Sequence, residues 1–214
     1  MLDCRAIVFD LDGTLVDSFA PLAAAVNAVR ASLGMPPVSD DVVRGQVGRG
    51  VPALLAHHAA PERLPAALET FGVAYAKVLG KTRPLPGVPE VPLELRRRGI
   101  RLAIATNKPA VFGRPIVEAV GLGEAIGVVL GPDCGVPPKP SPEMIHRALE
   151  LIGARAEEAL YVGDMPLDVE SARAAGVRPV LVATGAVSRV ELDAVPGALV
   201  LDDLRALLPL IRAI

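Results

Sequence analysis

The chain has 214 residues, half of them hydrophobic, and a formal net charge of −2 with its charged residues dispersed. That is material for one large domain or two small ones. Balanced charge offers no basic patch for nucleic acid, and no apolar run reaches the roughly 20 residues of a membrane span. Cys4 and Cys134 are the only cysteines and have no CxxC partner, so they read as reduced and structural. Met1-Leu2-Asp3-Cys4-Arg5 carries no signal-peptide pattern, and a cytoplasmic protein, monomeric or homodimeric, is expected. Eighteen arginines against four lysines, with two asparagines and one glutamine, fit a heat-adapted protein, as they fit a GC-rich genome.

The first predicted strand, Ala6–Asp10, runs into Asp10-Leu11-Asp12-Gly13-Thr14. An apolar run of this length bounded by a turn reads as a buried strand. Two acids one residue apart at a strand end suit a metal ion, or a nucleophile beside a general acid/base. The plainer alternative is an Asx turn.

From Asp17 to about Arg83 the pattern is helical, without a strand. Predicted helices cover Pro21–Leu33, Val51–Ala59 and Leu64–Leu79, and another starts at Ser39-Asp40-Asp41. There the serine caps free amides and the acids suit the positive helix end. The insertion returns at Pro84-Leu85-Pro86-Gly87 and reads as a second small domain. The expected division is a core of 1–15 and 86–214 and a helical cap of 16–85, hinged near Leu15–Ser18 and Arg83–Gly87. Its place after the first strand favours a lid over the carboxylates. A packed layer without that role is the alternative.

Further buried strands are predicted at Leu102–Ala105, Gly127–Leu130, Leu160–Gly163, Pro179–Val182 and Ala198–Leu201. Amphipathic stretches at Val91–Arg98, Val111–Val120, Glu143–Ile152 and Val169–Ala175 lie between them. This alternation predicts an α/β fold with a doubly wound parallel sheet.

Polar residues follow the strands: Thr106 and Asn107 after the second, Lys139 among four prolines after the third, Asp164 and Asp168 after the fourth. In a doubly wound sheet these ends converge. Asp10, Asp12, Asp164 and Asp168 then crowd one crevice, each raising the others' proton affinity. A divalent cation relieves that repulsion, and oxygen ligands favour Mg²⁺ over zinc. With a carboxylate nucleophile, a lysine and a hydroxyl, the set suits phosphoryl transfer. His57, His58 and His146 lack metal-ligand spacing and read as surface or packing residues.

Together these segments resemble the haloacid dehalogenase superfamily, in order and spacing, across essentially the whole chain. Asp10-Leu11-Asp12-Gly13-Thr14 matches its first motif, Thr106 its second, Lys139 its third, and Gly163-Asp164 with Asp168 its fourth. The helical insertion resembles the cap of its phosphatase and phosphoglucomutase branch. Flanks such as Val47-Gly48-Arg49-Gly50, Pro86-Gly87-Val88 and Thr106-Asn107-Lys108-Pro109 are similar to the phosphoglycolate phosphatases. Met165-Pro166 departs from the pattern, standing where many relatives have a small polar residue.

The resemblance implies a Mg²⁺-dependent phosphatase acting on a small phosphate ester. It makes Asp10 the nucleophile and Asp12 the acid/base. Asp10, the Asp12 carbonyl and Asp164 become metal ligands, and Asp168 an orienter of Lys139. Thr106, Lys139 and Asn107 would hold the phosphoryl group, and Gly13 would clear the approach. Arg49, flanked by glycines in a predicted loop of the cap, reads either as a contact for a substrate carboxylate or as an exposed surface arginine. The alternatives are a β-phosphoglucomutase-like mutase, and a sugar-phosphate phosphatase or pyrophosphatase of the same superfamily. Outside it stand a phospho-acceptor signalling domain, which would lack the cap, and a noncatalytic binding protein, which would be expected to lack Asp10 or Asp12.

Overall fold

The structure, a computed structural model, describes residues 1–214. Strands β1 (Leu2–Cys4), β2 (Ala6–Phe9) and β3 (Val16–Asp17) lead into helices α1 (Phe19–Ser32), α2 (Asp40–Arg44), α3 (Val51–Leu55) and α4 (Leu64–Val78). The chain returns through β4 (Arg83–Pro84) and then alternates: α5 (Glu90–Arg97), β5 (Arg101–Ala105), α6 (Ala110–Ala119), β6 (Val128–Leu130), α7 (Glu143–Leu151) and β7 (Ala159–Gly163). It ends with α8 (Pro166–Ala174), β8 (Arg178–Val182), α9 (Arg189–Asp193), β9 (Leu199–Leu201) and β10 (Ile211–Ala213). No helix is long and apolar enough to cross a membrane.

Six strands form one sheet in the order β6-β5-β2-β7-β8-β9, all pairs parallel. The doubly wound α/β architecture expected from the alternation is present. The chain steps from β2 to β5 and β6 on one side, then crosses to β7, β8 and β9 on the other. The strand order therefore reverses at β2, and the crevice beyond the strands' carboxyl ends there is where such a sheet takes its ligand. Asp10, Thr106 and Asp164 directly follow β2, β5 and β7.

Strand alternation divides the core. Ile7, Phe9, Leu102, Ile104, Leu160 and Val162 pack with α5 and α6 in a cluster of 27 buried residues. Ala6, Val8, Ala103, Ala105 and Tyr161 face the other way, against α7 and α8. Each large apolar side chain buried here contributes about 1.5–3 kcal/mol, and burial on both faces explains strands that read as unbroken apolar runs.

Helices α1 to α4 bury a cluster of their own, with Leu22, Val26, Leu55, Phe71 and Tyr75 at its centre. The Phe71 and Tyr75 rings stack at 5.5 Å, and Phe112 of α6 meets Tyr75 edge-on at 5.2 Å. Helix α3 stops at Leu55, short of the expected Ala59, and continues as turns. The connections to this unit carry strands the sequence did not announce. Val16 pairs with Pro84 and Asp17 with Arg83, antiparallel, and the Leu85 N–H donates to the Leu15 carbonyl at 3.0 Å. Two-residue strands are too short to show a period. The parallel pairing of β1 with β10 escaped notice for the same reason.

One buried polar network braces the helical unit. Arg30 Nε donates to the Pro36 carbonyl at 2.7 Å, and its Nη1 lies 3.1 Å from His58 Nδ1. His58 Nε2 lies 2.8 Å from Gln46 Oε1. A guanidinium only donates, so Nδ1 accepts and Nε2 carries the hydrogen towards Gln46: the imidazole is neutral. Burial first, then the charge of Arg30, pushes His58 below its usual 6.5. Gln46 opens the loop Val47-Gly48-Arg49-Gly50, so the network fixes where that loop starts.

His58→Leu should therefore cost about 1–3 kcal/mol, the penalty for stranding buried donors, read from the urea midpoint. The unfolded imidazole takes its proton near 6.5 and the folded one only at lower pH. This stability is thus full above 6.5 and is lost as pH falls through the folded value. Across that window the wild-type midpoint should fall more steeply than that of His58→Leu.

Candidate active site

The site is built around the ammonium of Lys139. The proline-rich loop before α7 delivers it to within 2.8 Å of Asp10 Oδ1 and 2.7 Å of Asp168 Oδ1. It also donates to the Tyr161 hydroxyl at 3.0 Å, which in turn donates to the Ala105 carbonyl at 2.7 Å. Asn107 clamps the same loop: its Oδ1 accepts from the Lys139 N–H at 2.7 Å, and its Nδ2 donates to the Lys139 carbonyl at 3.1 Å. The Asn107 amide reaches the Gly48 carbonyl as well, at 3.0 Å, so one side chain ties β5, the lysine loop and the helical unit together.

Asp168, in the first turn of α8, has both oxygens engaged. Oδ1 takes the lysine, and Oδ2 accepts from the backbone N–H of Asp164 at 3.1 Å and of Met165 at 3.0 Å. Asp164 accepts from Thr14 Oγ1 at 3.0 Å through Oδ1, which leaves Oδ2. That oxygen faces Gly13 and Gly185, and a Cβ on either glycine would collide with it. Gly13 also has a φ of +86°, a left-handed conformation that favours glycine. Met165, the departure noted in the sequence, packs its sulfur where a Cβ on Gly48 would lie, 2.5 Å away.

Asp10, Asp164 and Asp168 bring carboxylate oxygens within 4.8 Å of one another, all buried. Three carboxylates against one ammonium leave two negative charges. Burial, then the charges of Asp168 and Asp10, holds Asp164 well above the usual carboxylate range. Burial also raises Asp168, with Lys139 opposing it and Asp10 adding to it. Burial alone would depress Lys139, but Asp10 and Asp168 more than reverse that. Asp10 Oδ1 is buried, with the Lys139 ammonium 2.8 Å away. The residues thus fit a divalent metal: a dianionic excess, three carboxylates close enough to share one ion, and a free oxygen on Asp164.

Asp12 lies apart from this cluster. Ser18 Oγ donates to its Oδ1 at 2.5 Å, and Lys108 Nζ lies 3.0 Å from both oxygens. The lysine is buried and sits 4.6 Å above the Tyr75 ring. Burial would lower its pKa, but Asp12 and Tyr75 hold it above the usual range. A small cavity, about 40 Å³, separates sheet and helices, with Asp10, Asp12, Thr106 and Lys108 on one side and Val47 and Leu54 on the other. Arg49 is exposed and is not part of this wall.

Sequence reading did not single out Lys108, Ser18, Thr14 or Tyr161 as site residues. The available signals were a lysine directly after Thr106-Asn107, and one of only two tyrosines placed inside an aliphatic strand.

Carboxylates, a buried lysine and a hydroxyl gathered at the switch point of a doubly wound sheet, beneath a helical layer, define an α/β enzyme with an acidic centre. Residues 7–182 match the model of the haloacid dehalogenase-like hydrolases, and the chain belongs to that family. It is 37% identical over 214 residues to a phosphoglycolate phosphatase of Pseudomonas putida, covering 96% of this chain and 79% of the relative. A phosphoglycolate phosphatase of Cupriavidus necator is 38% identical over 191 residues, 86% of this chain and 83% of that one. The crystal structure of a predicted phosphoglycolate phosphatase from Haemophilus somnus superposes with a TM-score of 0.88 at 27% identity, covering 98% and 99% of the two chains.

Lys139→Met should destabilise the fold by about 3–5 kcal/mol, because it strands buried carboxylates without their cation. Chemical denaturation measures this. Raising the pH should widen the deficit, since protonation is then the relief left to Asp168, which burial already pushes up.

Proposed function

We propose that the protein is a Mg²⁺-dependent phosphatase that hydrolyses a small phosphomonoester, with 2-phosphoglycolate, giving glycolate and phosphate, as the leading substrate. The observation that carries the reading is the contrast between two aspartates two residues apart. Asp10 sits in the buried acidic cluster with Asp164 and Asp168, its Oδ1 2.8 Å from the Lys139 ammonium, while Asp12 lies outside that cluster with both oxygens engaged by side chains that carry hydrogens.

Asp10 attacks phosphorus, the bond to the ester oxygen breaks, and an aspartyl-phosphate forms. Asp12 gives the leaving oxygen its proton. It then takes one from the water that attacks the same phosphorus and frees Asp10. Thr106 and Lys139 hold the phosphoryl oxygens with the backbone N–H of Asn107, whose side-chain amide hydrogens are spent on the Lys139 and Gly48 carbonyls; this charge-assisted arrangement is suited to the transition state. Gly13 keeps the approach clear, and Asp168 orients Lys139. Asp10, Asp164 and the Asp12 carbonyl would hold Mg²⁺, which neutralises charge on the phosphoryl group when bound. Residues 16–85 act as a cap that closes on a free small molecule in the cytoplasm. Their separate apolar cluster and paired connections support that division from the core of 1–15 and 86–214.

The names of the relatives support phosphoglycolate. Phosphate release from a panel of phosphoglycolate, hexose phosphates, pyrophosphate and nucleotides tests the reading. Phosphoglycolate should be turned over fastest, EDTA should abolish release, and Mg²⁺ should restore it. Asp10→Asn should reduce kcat by at least about 10³-fold, as loss of a nucleophile does. Undiminished release in EDTA, or conversion of one sugar phosphate into another without free phosphate, would sink the reading.

A further inference from the structure

Lys108 is the only cationic residue on the cavity wall, and the scheme above gives it no task. Its Nζ lies 3.0 Å from both Asp12 oxygens, and its side chain is 3% exposed. The Tyr75 ring backs it at 4.6 Å, itself fixed by stacking on Phe71 and by the edge contact with Phe112. The ammonium therefore cannot swing out to water. It can only face Asp12 or the cavity.

Two consequences follow. While Lys108 and Ser18 bond both oxygens of Asp12, only part of that carboxylate's acceptor capacity is left to serve a leaving group. Asp12 must also come within roughly 2.6–3.2 Å of the leaving oxygen to pass it a proton, so the cation beside Asp12 borders the space of the leaving group. Leu22, Val47 and Leu54 close that space from the helical side, and apolar walls strengthen a charge–charge contact.

We propose that Lys108 recognises a second negative charge on the leaving group, a carboxylate next to the ester-bearing carbon, and exchanges Asp12 for it. This rests on the phosphatase reading and deepens it. The exchange replaces one buried ion pair by another, so the ammonium keeps a counter-charge throughout, and it frees Asp12 at the moment an acidic substrate is seated. A neutral leaving group leaves Lys108 on Asp12. The charge preference therefore enters turnover as well as binding. It assigns to Lys108 the carboxylate contact that the sequence had suggested for Arg49.

The test compares kcat/KM for 2-phosphoglycolate and its neutral amide, 2-phosphoglycolamide, in wild type and in Lys108→Met, Lys108→Gln and Lys108→Arg. The wild type should favour the acid by about tenfold or more, the scale of a charged hydrogen bond. In Lys108→Met that ratio should fall by about the same factor, through loss of the acid's rate, with part of it restored in Lys108→Arg. Lys108→Gln leaves Asp12 a donor and serves if the methionine variant does not fold. Equal losses on both esters, with the ratio unchanged, would overturn the assignment and reduce Lys108 to a prop for Asp12. Failure of the phosphatase reading looks different: wild type with Mg²⁺ would release phosphate from neither ester, and the assignment would fall with it.

Discussion

The strand ends depend on one buried ammonium. The sheet topology forces Asp10 and Asp164 to adjacent strand tips, and the first turn of α8 adds Asp168 beside them. Carboxylates so placed, away from water, repel by several kcal/mol unless a cation lies among them. Lys139 supplies it, and its backbone is held on both sides by Asn107. Through Asp10, through Tyr161 with the Ala105 carbonyl, and through Asp168, the same ammonium links β2, β5, β7 and α8. The excess left over is two negative charges, which matches a divalent cation; the close approach of Asp164 Oδ2 is why Gly13 and Gly185 admit no Cβ.

The helical unit touches this centre lightly. Asn107 meets the Gly48 carbonyl, Arg44 Nη1 the Gly185 carbonyl at 3.3 Å, and Lys108 and Phe112 the Tyr75 ring. These contacts are few, while each side has its own apolar core. Phe112 of α6 packs on the helical cluster and Leu79, just after α4, on that of the sheet, so the two cores meet along this edge. The β3–β4 pair keeps the two connecting strands together.

What the sequence made legible follows from what periodicity and strand-end position encode. Buried parallel strands read as apolar runs, and all six of the main sheet were located to within a residue or so at either end. Asp10, Thr106, Asn107, Lys139, Asp164 and Asp168 stood out because each follows a strand, and the structure brings them together. Pairings across long separations did not stand out. Lys108 and Asp12 are 96 residues apart, and nothing local to either announces the other. Tyr161 looked like one more core residue, since only the third dimension places its hydroxyl under Lys139. Arg49 shows the converse: flanking glycines mark a loop, but not which way its side chain faces.

Asp10 and Asp12 share a residue type, a turn and nearly a position, so their difference must come from what surrounds them. Asp10 sits at the end of β2 between the lysine loop and β7, where its neighbours are Lys139, Asp164 and Asp168. Two residues on, Asp12 faces the helical side and meets Ser18 and Lys108. The first environment is rich in negative charge, a condition that suits a metal-bound nucleophile. The second is a neutral pair in which every neighbour can give or yield a hydrogen, conditions that suit a proton carrier. Two like carboxylates acquire different tasks when their surroundings are made unlike. Here the difference comes from two lysines, one placed by each side of the cleft's floor.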